Sequence, residues 1–119
     1  MKPLHWIASS KKDYLGLPDE IQDEFGYALY VVQEGAKPDI AKPLKGFSGA
    51  GVLELVQRHD GDAYRAVYTV KFEEAVYVLH CFQKKSKSGI ATPQQDMDLI
   101  RARLKLAQEE HERWKKAKT

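Results

Sequence analysis

Apolar positions along this chain fall into two kinds of spacing. Ile21, Phe25, Ala28, Leu29 and Val32 recur at helical intervals and predict one buried helix face. Leu17-Pro18-Asp19-Glu20 opens that helix, because proline is tolerated at the first helical position and acids favour the first turn. Gly35 closes it. Met97, Ile100, Leu104, Ala107, His111 and Trp114 form a second stripe, in a last helix opened by Thr92-Pro93-Gln94-Gln95, where Thr92 and Gln95 complete a capping box. Ahead of these, residues 4–8 read as a first strand and Lys11–Leu15 as a short helical turn stopped by Gly16.

Between the two long helices the spacing changes to alternation. Residues 51–58, 64–72 and 75–84 read as strands, joined by turns at Asp60-Gly61-Asp62 and Glu73-Glu74. They predict an antiparallel three-stranded meander. Residues 36–51, with their prolines and glycines, read as a connecting segment. They are not a phosphate loop, since no Lys-Ser/Thr follows the last glycine and a strand follows it instead of a helix. The expected fold is α+β: an N-terminal strand, two helices, the meander and a C-terminal helix, in a single domain over residues 1–119.

Alternation also sorts side chains by face. With a tight turn at Glu73-Glu74, Tyr64, Ala66, Tyr68, Val70 and Phe72 share an apolar face with Ala75, Tyr77, Leu79 and Cys81. The other face collects Glu54, Arg58, Arg65, His80, Phe82 and Lys84, with Arg65 opposite Phe82. The expectation is an open cationic surface, extended by Lys85 and Lys87 in the loop that follows. A one-residue error in the turn flips a strand and scatters the set.

Net charge is only +2 over 119 residues, so the chain is not broadly basic. The local pattern says more: residues 75–95 contain no acid, and Lys84, Lys85 and Lys87 sit together there. One anionic ligand at one place is the reading. Cations with an aromatic ring suit RNA, guanidinium and ammonium binding phosphate and the ring stacking an unpaired base. The plainer reading of Arg65 with Glu54 is a cross-strand ion pair worth ~0.2–1 kcal/mol. Cys81 is the single cysteine and reads as a core filler, without partners for a disulfide or a zinc site. No metal and no cofactor are expected. No apolar run approaches the ~18 residues that cross a bilayer, so a cytoplasmic protein is the expectation.

Three stretches together, KPLKGFSGAGVLEL (42–55), YRAVY (64–68) and VYVLHCFQKKSKSGIATP (76–93), resemble the RelE/ParE toxin superfamily, in its phage-derived, HigB-like branch. The resemblance spans nearly the whole chain. It implies the toxin of a type II toxin–antitoxin pair, a cytoplasmic mRNA interferase that cuts messages in the ribosomal A site and inhibits translation. The implied partners are a cognate helix-turn-helix antitoxin, mRNA and the ribosome, with no membrane and no small-molecule cofactor. The implied chemistry is metal-independent attack of a ribose 2′-OH on the adjacent phosphate.

By the same resemblance, Arg65 stands where family members use an arginine against the phosphate. Lys84 stands where RelE-type toxins carry a second arginine, keeping the charge without the bidentate fork. Glu54 and Val56 replace a lysine pair of RelE-type toxins. The stacking tyrosine would fall near Ile90, so Phe82 or His80 takes that work. The expected catalytic set is Arg65 and Lys84 for phosphate charge, with Glu54 or His80 as general base or acid. Lys85, Lys87, Arg58, Lys45 and Phe82 are the expected RNA contacts. Two other readings stand beside this one: a non-catalytic gyrase poison of the ParE type, and an inactive relic acting only as a protein-binding module.

Overall fold

The computed structural model describes residues 1–47, 49–84 and 92–118. The first stripe becomes the buried side of helix α2, Asp19–Gln33, whose buried residues are Ile21, Phe25, Ala28, Leu29 and Val32. Gly35 takes φ +92°, a conformation open to glycine at little cost. Its N–H donates to Val32 O and that of Ala36 to Val31 O, closing the last turn. Each fully buried large side chain on this stripe contributes about 1.5–3 kcal/mol. Ahead of α2 come strand β1, Leu4–Trp6, and helix α1, Ser10–Leu15.

Strands β2 (Ala41–Pro43), β3 (Val52–His59), β4 (Asp62–Thr69) and β5 (Val76–Lys84) follow, then helix α3, Gln94–Lys118. The sheet order is β1-β5-β4-β3-β2, with β1 parallel to β5 and every other pair antiparallel. The expected meander is β3-β4-β5. Strand β2 is new: it lies within the segment read as a connection, and pairs Ala41–Pro43 with Leu53–Leu55. A three-residue strand ending in proline at a sheet edge gives no alternation to read.

Both faces of the sheet are covered. On one, α2 packs Ile21, Phe25 and Leu29 against Leu55, Ala66, Tyr68, Val76, Val78 and Cys81. On the other, α3 packs Ile100 and Ala107 with Ile7, Leu44, Val52, Val67, Tyr77 and Leu79. The second stripe therefore does its expected work, with Met97 and Leu104 partly buried in the same cluster. Arg103 joins it from the same helix: Nη1 donates to Leu79 O and Nη2 to Ser9 Oγ, each at 2.9 Å.

The face division holds for one half of β5 and fails for the other. Val67 pairs with His80 but Tyr68 pairs with Val78, so Leu79 is an extra residue, a β-bulge. Beyond it, Arg65 lies opposite Phe82, as the sequence predicts. Before it the strand is out of phase: Val76 and Val78 face α2, while Ala75, Tyr77 and Leu79 face α3. The extra residue inverts the alternation expected for residues 75–79. Among the described residues no helix is long and apolar enough to cross a membrane.

Candidate functional site

Three cross-strand rows build one patch on the α3 side of the sheet. Lys42, Glu54, Val67 and His80 form the first, across β2, β3, β4 and β5. Val56, Arg65 and Phe82 form the second, and Arg58, Ala63 and Lys84 the third. Antiparallel partners project to the same side, and successive rows are about 7 Å apart. The register thus places Glu54, Arg65, His80, Phe82 and Lys84 on one patch, beside the first turn of α3.

The patch is not the open surface expected from alternation. Glu54, Arg65, His80 and Lys84 are between 4% and 7% exposed. Sequence periodicity reports which way a strand residue points but not what lies over it, and here α3 packs on the same face.

Burial forces pairing, because an isolated charge away from water is costly. Arg65 Nη1 donates to Glu54 Oε1 in a buried ion pair. Lys84 has no such partner among the described residues: its Nζ is buried and makes no hydrogen bond with them. Desolvation holds the Lys84 pKa below the ordinary lysine value, the nearby Arg65 and Lys42 charges push the same way, and Glu54 opposes them. An ammonium so placed is a ready site for an anion and a better proton donor than a free lysine.

His80 is held on two sides. Its ring stacks on Phe82 with centroids 4.5 Å apart and planes 15° from parallel. Nε2 lies 2.8 Å from Asp96 Oδ1 in the first turn of α3. Nδ1 is buried and makes no hydrogen bond among the described residues. A cleft of about 710 Å³ opens beside these rings, lined also by Lys12, Leu17, Pro18 and Tyr64. A nitrogen acceptor and an aromatic stack beside a cleft, with the Arg65 and Lys84 cations in the neighbouring rows of the sheet, are the parts that phosphodiester chemistry needs.

Residues 12–105 match the family model described as "Phage derived protein Gp49-like (DUF891)". The chain belongs to this family. The Gp49-like match agrees with the phage-derived branch expected from the sequence resemblance. No curated protein matches the chain. The fold is that of E. coli RelE. The isolated RelE toxin superposes with TM-score 0.59 at 20% identity, over 74% of this chain and 89% of that one. A chain of the intact E. coli RelBE toxin–antitoxin complex gives 0.57 at 22% identity, over 72% of this chain and 100% of that one.

Within this Gp49-like chain the expected residues divide clearly. Arg65, Lys84, His80, Glu54 and Phe82 share the patch, and Arg58 stands exposed in its third row. Lys45 is exposed in the loop after β2 and makes no hydrogen bond or ion pair with the patch among the described residues. Lys85 and Lys87 lie outside the described residues. Sequence reasoning missed two members. Lys42 belongs to the first row, but the strand that carries it was too short to recognise. Asp96 reaches His80 from a helix 16 residues on, while a first-turn acid already has a local explanation in the helix dipole.

Proposed function

We propose that this protein is the toxin of a type II toxin–antitoxin pair and a ribosome-dependent endoribonuclease acting on mRNA. The observation that carries the reading is the Lys84 ammonium, buried and unbonded beside the Arg65–Glu54 pair. A fold gains no stability from such a group, and an arriving phosphate supplies the missing partner. The RelE fold and the Gp49-like family support the same reading.

In this reading His80 takes the proton from the ribose 2′-OH through Nδ1. The 2′ oxygen attacks the adjacent phosphorus, Arg65 and Lys84 carry the charge that builds on the phosphoryl oxygens, and the bond to the 5′ oxygen breaks. Lys84 gives that leaving oxygen its proton, leaving a 2′,3′-cyclic phosphate. Glu54 holds Arg65 in position and leaves the base role to His80. Phe82 and His80 form the platform for a base, and Arg58, Lys85, Lys87 and Lys45 hold flanking RNA. Arg65, Lys84 and the Nδ1 atom of His80 are buried in the free chain, so engaging RNA requires a local opening of the patch. A cognate helix-turn-helix antitoxin acts on the same face or on the terminal helix.

The test is primer extension on messages from cells expressing the protein without its antitoxin. Cuts within translated codons, absent with Lys84→Ala, support the reading. Accumulated gyrase–DNA cleavage complexes without message cuts identify a ParE-type poison instead. Antitoxin binding with neither effect identifies a binding-only relic.

A further inference from the structure

The ribonuclease reading needs a base, and His80 reaches that role only in one protonation pattern. A neutral imidazole carries its proton on one nitrogen or the other, and the partner of each nitrogen decides which. Asp96 Oδ1 lies 2.8 Å from Nε2, and an ionised carboxylate can only accept. Nε2 must therefore carry the hydrogen, which leaves Nδ1 as a bare lone pair. That atom is buried and makes no hydrogen bond among the described residues, in a side chain otherwise packed on Phe82. Within a packed sheet a buried acceptor left unbonded costs stability, and a catalytic role is one reason for a fold to keep one.

We infer that Asp96 is a positioning residue, which fixes His80 as the Nε2–H tautomer and presents Nδ1 to the 2′-OH of the substrate. This deepens the ribonuclease reading and rests on it. When Nδ1 takes the proton, the imidazolium forms beside the Asp96 carboxylate, whose charge favours it. The carboxylate exchanges nothing: the proton from the 2′ oxygen goes to Nδ1, and Nε2 keeps its own. Asp96 sits on α3, so the base is correctly set only while the first turn of that helix is docked against β5. That makes helix docking, and not strand geometry alone, a condition for activity.

The simpler role for Asp96 is a first-turn acid that complements the helix dipole. The two roles separate in Asp96→Asn, which keeps the shape and lets a carboxamide N–H donate to Nε2. Long-range nitrogen–proton spectra of the imidazoles, with His80→Gln for assignment, read the tautomer directly. The expected wild-type signal is Nε2–H with a bare Nδ1. Asp96→Asn is expected to gain the Nδ1–H form and lose about a hundredfold in single-turnover cleavage, with ribosome affinity unchanged. Asp96→Glu is expected to recover the wild-type tautomer and part of the rate. An unchanged His80 tautomer in folded Asp96→Asn overturns the inference, as does wild-type cleavage by that variant. If the wild type cuts nothing, the ribonuclease reading has failed, and the tautomer spectra alone still decide whether Asp96 sets His80.

Discussion

Glu54 and Arg65 sit diagonally across β3 and β4 as a buried ion pair, each side chain only 6% exposed. The pair has two jobs, holding the sheet and aiming a guanidinium. Breaking such a pair by removing one partner leaves an uncompensated buried charge. Arg65→Ala is therefore expected to cost about 3–5 kcal/mol of stability. Glu54→Leu together with Arg65→Leu is expected to cost much less than the sum of the single changes. Denaturant unfolding of the four proteins in this cycle checks it. Activity belongs to the milder Arg65→Lys, which keeps the charge and loses the fork.

Lys84 should behave in the opposite sense. Its ammonium is buried and unbonded, so Lys84→Met is expected to raise stability by about 1 kcal/mol or more at neutral pH. The sign with pH follows from the lowered pKa. Between that lowered value and the ordinary 10.5, the unfolded chain binds more protons at this site than the folded one. Wild-type stability therefore gains a contribution as pH rises through that window, and the advantage of Lys84→Met shrinks there. Melting curves of both proteins from neutral to alkaline pH provide the comparison.

At the far end of α3 a different cluster ties the helix to the sheet. His111 bonds Tyr77 Oη through Nδ1 at 3.0 Å and Glu74 Oε1 through Nε2 at 2.9 Å, and its ring stacks on Phe72. Glu74 also meets Lys115 at 3.2 Å. Bonds from Lys115, then from His111, hold the Glu74 carboxyl below its ordinary value of 4.5. Its contribution to stability is present above that value and is lost as pH falls through the lowered one. Melting temperature is expected to fall on acidification across that range, and Glu74→Gln to flatten the fall.

Cys81 is 3% exposed, and burial pushes its thiol up to about 12. The thiolate is the reactive form, so the native protein is expected to resist alkylation at neutral pH and to react promptly in denaturant. Mass spectrometry after iodoacetamide treatment distinguishes this from an accessible thiol, which would react without unfolding.

Helix α2 was fully legible, because its five buried residues lie on one stripe and nothing else in the segment competes. Strand β5 was legible from His80 onward, where the expected register, Arg65 opposite Phe82, is the one the sheet adopts. Upstream, Ala75–Leu79 is apolar or aromatic at every position, so both faces looked equally like core and the bulge at Leu79 left no mark. The same limit explains the expected open surface. Alternation placed Glu54, Arg65, His80 and Lys84 together, and burial under other elements is a property of packing that alternation does not carry. Asp96 and Lys42 entered the site through pairings between distant segments, each from a residue with an ordinary local role.

The most direct test uses purified ribosomes with a defined message in the A site. Wild type, Arg65→Lys and Lys84→Met are compared at saturating protein in a single turnover. The expected result for the wild type is a cut message with a 2′,3′-cyclic phosphate end. The rate is expected to be lower by roughly a hundredfold or more in Lys84→Met, even though that variant is expected to be the more stable protein. Cleavage by Lys84→Met at the wild-type rate would contradict the role given to the buried ammonium, and an intact message with folded wild type would contradict the enzyme itself.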